Sequence, residues 1–161
     1  MTKELIVMQG IPGAGKDWVA KRDYRNHTIC SADDYFRLTN PEYDMGGNGF
    51  DPSKLGEAHR FCFTKFMATL QAGDNCVVNN TNLDDVSIAP YIAVARHYGY
   101  DTTICRVKCD SATASGRNLH GVPEGVYDRM TAQFNKWKLN WIFKNSGVKL
   151  RRVNNNVAGV Y

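Results

Sequence analysis

Short apolar runs alternate with segments of helical period along most of the chain. Leu5-Ile6-Val7-Met8 is uninterrupted by polar residues and stops before Gly10; Thr28-Ile29-Cys30, Cys76-Val77-Val78 and Thr102–Val107 are further runs of strand length, and Val148–Val153, with three cations, reads as a late strand. Such short apolar runs suit strands covered on both faces. Between them, Trp18–Tyr24, Asp33–Leu38, Ser53–Leu70, Asp84–Tyr98, Ser111–Asn118 and Glu124–Phe143 read as helices. In the longest early helix, Leu55, Ala58, Phe61, Cys62, Phe66 and Leu70 recur near period 3.6, after Pro52 and with Ser53 as a cap. Pro90 is expected to break the fourth helix or delay its start. Trp137 and Trp141, with Lys136, Lys138 and Lys144, are expected on one amphipathic packing helix. His59, among Phe61, Phe63 and Phe66, is expected to be partly buried. Strand–helix repetition predicts an α/β fold, with a central parallel sheet between two helical layers.

Composition adds limits. The 161 residues are 43% hydrophobic and 22% charged, the balance of a folded chain of one-domain length. No repeat or linker divides residues 1–161, so they read as one domain with a surface loop at Met45–Gly49 and a frayed tail over 154–161. No apolar run approaches the ~18 residues that span a bilayer. The first residues lack the apolar core of a signal peptide, so a cytoplasmic protein without membrane attachment is expected. The five cysteines form no CxxC pair, and Cys105 and Cys109 have no partner pair at zinc spacing; they read as reduced, mostly buried thiols. The net charge of +4 is uneven, with 10 Lys and Arg against 12 Asp and Glu over 1–100, and 10 against 4 over 101–161. A basic last third is compatible with a phosphate-rich partner.

In a parallel α/β sheet, ligands bind beyond the carboxyl ends of the strands, so the loops after residues 9, 31, 80 and 107 should line one cleft. The first loop carries the strongest motif. Gly10-Ile11-Pro12-Gly13-Ala14-Gly15-Lys16 fits GxxxxGK between a strand and a helix, the context a phosphate-binding loop requires. Its glycines let successive N–H groups turn toward an anion, the following helix adds its dipole, and Lys16 adds a point charge. Asp17 stands where the motif has Ser or Thr for Mg²⁺. A carboxylate can ligate Mg²⁺ directly, but it also adds negative charge beside the phosphates.

The second loop carries Ser31-Ala32-Asp33-Asp34-Tyr35-Phe36-Arg37. Either aspartate can serve as the base for a phosphoryl acceptor; equally, Ser31 or Asp33 can simply cap a helix. Thr81 and Asn82 can bind acceptor or water near Mg²⁺, or Asn82 or Asp84 can cap the next helix. Arg117 lies where a lid closes over a nucleotide and can stabilise the transferring phosphoryl group. His120 can bond a phosphate or fix the turn before Pro123, and Arg129 is read as facing solvent. Tyr35, Phe36 and Tyr43 are candidates for stacking bases.

The ordered set GxPGxGK, Asp33-Asp34-Tyr35, Asn80-Thr81-Asn82-Leu83 and Gly116-Arg117-Asn118 leading to Val122-Pro123 resembles the P-loop kinase family that includes bacteriophage-type polynucleotide 5′-hydroxyl kinases. Phe50-Asp51-Pro52 with Ala58-His59, and Arg117–Pro123 with Arg129-Met130, look closer to its small stand-alone ATP-binding members. The likeness runs from about residue 5 to about residue 137. It implies a three-layer P-loop fold with a helical lid over about 110–123, with ATP and Mg²⁺ as cofactors. It implies Gly10, Pro12, Gly13, Ala14, Gly15, Lys16, Asp17, Arg117 and His120 around the nucleotide, with Asp17 on the metal. Asp33 matches the general base, and Lys16 and Arg117 match the phosphate-binding lysine and the first lid arginine. Asp34, Arg37, Asn80, Thr81 and Asn82 fall on the acceptor side.

Three positions depart from the phage-type pattern. The arginine that follows the tyrosine and contacts the acceptor's 3′-phosphate is replaced by Phe36, with Arg37 one helical step (about 100°) further on. Asn80 replaces an aspartate. The second lid arginine has no equivalent, His120 standing nearest. The resemblance implies transfer of the ATP γ-phosphate to the 5′-hydroxyl of a DNA or RNA end. The departures keep open a small hydroxylated acceptor, such as a nucleoside, or a modified base in DNA, and Asp17 keeps open a non-catalytic ATP-binding module.

Overall fold

A computed structural model describes residues 2–45, 49–118 and 120–155. The expected glycine loop falls largely on 46–48, and most of the expected frayed tail on 156–161, outside the described residues. Five strands, β1 (Glu4–Gln9), β2 (Thr28–Cys30), β3 (Cys76–Asn79), β4 (Asp101–Lys108) and β5 (Lys149–Asn154), form one sheet in the order β2-β3-β1-β4-β5. Every pairing is parallel. The helices are α1 (Lys16–Asp23), α2 (Asp33–Thr39), α3 (Leu55–Ala72), α4 (Asp85–His97), α5 (Ser111–Ser115), α6 (Glu124–Lys136) and α7 (Trp141–Asn145), with 3₁₀ turns at Tyr43–Met45 and Pro52–Lys54.

Alternation along the strands builds the layers. Leu5, Val7, Cys76, Val78 and Ile104 face Phe66 and Leu70 of α3 and Ile88 and Ile92 of α4. The intervening Ile6, Met8, Val77, Cys105 and Val107 face Val19 and Ala20 of α1 and Tyr127 and Phe134 of α6. Both faces are therefore covered, as the apolar strands require. With β1 in the middle, the chain leaving Gln9 emerges at the centre of the carboxyl edge. All five cysteines are buried free thiols. Among the described residues no helix is long and apolar enough to cross a membrane.

Four local expectations are corrected. The helix at Pro90 is continuous over Asp85–His97. The N–H that proline lacks would have bonded the carbonyl of Val86 in the first turn, beside a side chain 83% exposed, where water can replace the partner. The last predicted helix is instead two, split between Trp137 and Asn140. Asn140 caps α7 by accepting the Ile142 N–H at 2.9 Å, while the Trp137 indole donates to Asp85 at 2.8 Å. His59 is exposed, because α3 buries Ala58, Cys62, Phe66, Thr69 and Leu70 and position 59 falls outside that stripe. Asn154 and Asn155 are not frayed: the first ends β5, and the second is 1% exposed.

An ion pair ties β5 to α1. Asp23 accepts from Arg22 and from Arg151 at 2.6 Å, and these bonds hold its carboxyl down at about 2. Against an ordinary value of about 3.9, this contribution to stability is complete above about pH 4 and disappears as pH falls toward 2. Asp23→Asn should thus lower the thermal midpoint at pH 6 by no more than ~2–4 °C, the scale of a partly exposed pair. The gap from wild type should close in melting curves taken at pH 2.

Candidate active site

In the phosphate loop the carbonyls of Ile11, Gly13 and Ala14 are already occupied. Lys16 Nζ and the Ala14 N–H both donate to the Ile11 carbonyl, at 2.9 and 3.1 Å. Arg117 Nη1 donates to the Gly13 carbonyl at 3.1 Å, and Asn155 Nδ2 donates to the Ala14 carbonyl at 3.0 Å. The Gly10 N–H is spent on the Thr81 carbonyl at 3.1 Å. Gly13 and Gly15 adopt φ of +78° and +91°. A Cβ on Gly13 would lie 2.3 Å from the Ala114 carbonyl oxygen of α5, so lid and loop touch through backbone at this glycine. Gly15 caps α1 without a side chain, which leaves the first-turn N–H groups pointing at the cradle. This is the amide-rich concavity an anion requires. Burial pulls the Lys16 ammonium down from its usual range, against the opposing charges of Asp17 and Asp33. Arg37 of α2 lies 3.7 Å from Asp17 of α1 and 3.0 Å from Asp34, so the start of α1 and the acceptor side share one cleft.

The acceptor side is built by β2, α2 and the turn at Tyr43. Asn80 Oδ1 accepts the Ala32 N–H at 2.9 Å, so the residue after β3 seats the start of α2. Ser31 Oγ accepts the Asp33 N–H at 3.1 Å, while the Asp33 carboxylate accepts the Tyr43 hydroxyl at 2.7 Å. Asp33 is thus not acting as a helix cap. Burial, together with the Asp33 charge, pushes the Tyr43 phenol up, so it remains a donor. The other aspartate is bound differently: Asp34 accepts from Arg37 at 3.0 Å and lies 3.6 Å from Lys65 Nζ.

Arg37 is enclosed by carboxylates, with Asp44 at 2.7 Å, Asp34 at 3.0 Å and Asp17 at 3.7 Å. The Asp44 carboxyl is held below its usual range by Arg37 and then His120. His120 stacks on the Tyr43 ring at 4.0 Å between centroids and lies 3.2 Å from Asp44. The lid end therefore touches the acceptor side in this conformation. Among the described residues of the expected helical lid, five, Ser111–Ser115, are helical; Asn118 then brackets the turn by bonding both the N–H and the carbonyl of Val122.

Two expected substrate contacts are committed to structure. Asn82 donates to the Met8 carbonyl at 2.7 Å, is 3% exposed and is the one non-glycine residue with positive φ among the described residues. Asn80 is spent on Ala32. Thr81 is half-buried, with its carbonyl on the loop, and Asp84 rather than Asn82 caps α4. Phe36 and Tyr43, 3% and 2% exposed, stack on each other in the core and offer no face to a base. Tyr35 donates to Glu57 at 2.6 Å, and Arg129 is exposed.

The roles of three residues escape sequence reasoning. Tyr43 orients Asp33, and Asn155 clamps the loop. Asn79 donates to Asp17 while its own Oδ1 is buried without a partner. The polar pair Asn79-Asn80 closing an apolar run was the available signal. Asp17 and this orphaned oxygen fit Mg²⁺, which takes few protein ligands and completes its shell with phosphates and water. Among the described residues no group of three or more His, Cys, Asp or Glu forms a metal cage.

The parallel sheet, central glycine loop and covering helices define a P-loop fold of the kinase-like type. A family model described as "AAA domain" matches residues 5–137, and the chain belongs to that family. It is 28% identical over 159 residues to human NEDD4-binding protein 2, matching through 92% of its own length but spanning only 9% of that relative. A chain of the Pnkp1/Rnl/Hen1 RNA repair complex superposes with a TM-score of 0.65 at 18% identity, over 83% of this chain and 44% of that one. A sugar kinase from Janibacter sp. HTCC2649 gives 0.57 at 16% identity, over 96% and 86%. Likeness at these identities concerns the fold.

Proposed function

We propose that this chain is an ATP-dependent phosphotransferase that passes the γ-phosphate to a hydroxyl, foremost the 5′-hydroxyl of a DNA or RNA end. The observation that carries the reading is the single cleft joined by Arg37, which lies 3.7 Å from Asp17 beside the phosphate loop and 3.0 Å from Asp34, with Asp33 oriented by Tyr43 on its acceptor side. Loop amides and Lys16 would hold the β- and γ-phosphates. Asp33 would accept the acceptor's proton as its oxygen bonds to the γ-phosphorus and the bond to the β-phosphate oxygen breaks, releasing ADP. Arg117, now on the Gly13 carbonyl, stands at the lid–loop contact and would turn to the transferring phosphoryl group. Asp17, with Asn79 beside it, would hold Mg²⁺, which when bound offsets phosphate charge.

A second reading, a small hydroxylated acceptor or a modified base, draws on Arg37. Three carboxylates already surround it, so a phosphate next to the reacting hydroxyl would have to compete with them. Transfer of labelled γ-phosphate separates the readings. The acceptors are 5′-hydroxyl oligomers of DNA and RNA, the same oligomers with blocked ends, and nucleosides. Label confined to free 5′-hydroxyl oligomers is the expected result. Label on nucleosides or end-blocked oligomers moves the acceptor to the second reading. ATP binding without transfer to any acceptor counts against both, and activity appearing only in Asp17→Ser would identify a degenerate loop.

A further inference from the structure

Cations also gather at the opposite edge of the sheet. In the parallel pairing of β4 with β5, Arg106 lies opposite Arg152 and Lys108 opposite Asn154. The two-residue period puts these four on one face. Arg151, one residue before Arg152, takes the other face, where it meets Tyr24 and Asp23. With Phe134 and Asn135 of α6, the four line a cavity of about 370 Å³, within the size range of small-ligand sites. No residue of the phosphate loop lines it.

The Arg106 head is fixed before any ligand arrives. It donates to Gln9 Oε1 and, at 2.9 Å, to the Phe134 carbonyl. It lies 4.1 Å over the Phe134 ring and 5.0 Å from that of Trp137. All of these partners are neutral. Among the described residues, the ion pairs engage other cations, and no carboxylate reaches Arg106, Lys108 or Arg152. Burial and the neighbouring Arg152 both work against the Arg106 charge. A half-buried, pre-oriented guanidinium beside two more cations suits a phosphate, whose oxygens match the planar fork of donors.

We propose that this cavity between β4, β5 and α6 binds a phosphate group, at a site separate from the phosphate loop. Arg106 supplies the fixed, partly buried donor, and Lys108 and Arg152 close from the exposed rim. Asp33 follows β2, three strand positions from β4 and four from β5, roughly 14–19 Å at ~4.8 Å per strand. The bound phosphate is therefore not one adjoining a hydroxyl at Asp33. The site stands whether or not the chain transfers phosphate.

The test measures binding of inorganic phosphate and of a single-stranded oligonucleotide to three proteins: wild type, Lys16→Ala, and a Lys108→Gln, Arg152→Gln double variant. Both rim side chains are exposed, so the double variant should melt like wild type; Lys108→Gln alone replaces it if it does not. Binding that persists in Lys16→Ala and weakens at least tenfold in the double variant is expected. If inorganic phosphate shows this pattern, the natural ligand is a small anion. If only the oligonucleotide shows it, the ligand is a strand. The slope of log affinity against log salt should then fall by about 1.4, at ~0.7 for each lost contact. Affinities unchanged in the double variant, or no binding of either probe outside the phosphate loop, would overturn the site.

Discussion

Replacing Asp33 with asparagine is expected to lower the rate of phosphate transfer by about 10²-fold or more while ATP affinity stays within about twofold. A positioned base typically contributes 10²–10⁴-fold. Asparagine keeps the shape and can still accept the Tyr43 hydroxyl, but it takes no proton. Asp34→Asn is the matched control. Asp34 is committed to Arg37 and faces Lys65, so its loss should act on α2 and on stability more than on transfer. Single-turnover transfer measured beside ATP titration separates the two effects. A loss below tenfold for Asp33→Asn, or a larger one for Asp34→Asn, would reassign the base.

Gly13→Ala is expected to weaken nucleotide binding at least tenfold and to lower the melting temperature. Two costs combine here. A side chain at φ +78° costs roughly 1–2 kcal/mol. The added methyl would also stand 2.3 Å from the Ala114 carbonyl oxygen, so loop and α5 must separate and the Arg117 bond to the Gly13 carbonyl must stretch. Gly99→Ala isolates the first cost: its φ is +75°, but nothing lies within 4 Å of the new Cβ. It should melt lower yet leave nucleotide binding intact. Equal binding by the two variants would show that the lid–loop contact has no part in holding phosphate.

The strands and the phosphate loop were legible in the sequence because their causes are local. A strand buried on both faces needs an unbroken apolar run, and Leu5–Met8 and Cys76–Val78 have little else to be. A cradle of backbone N–H groups needs glycine at Gly13 and Gly15, where φ is positive, and a helix directly after. Lys16, Asp33 and Arg117 follow from their places after β1, β2 and β4.

What escaped depends on partners distant in the chain. Asp17 meets Asn79 across 62 residues, and Ala14 meets Asn155 across 141. The break after Lys136 escaped although the Asn140 cap is local, because the apolar spacing through Phe143 continues a helix and the Trp137–Asp85 bond spans 52 residues. His59 was misplaced by its aromatic neighbours in sequence, when rotation about α3 decides which of them it shares a face with.

The sequence by itself therefore determined the layers, the parallel sheet and the glycine cradle, since each is dictated by residue types at short spacing. The tertiary structure alone decided that Asp33 bonds Tyr43. It alone enclosed Arg37 in carboxylates and brought Arg106, Lys108 and Arg152 around one cavity. Those are contacts between elements, and side-chain orientation across a sheet edge depends on packing that no short-range pattern records.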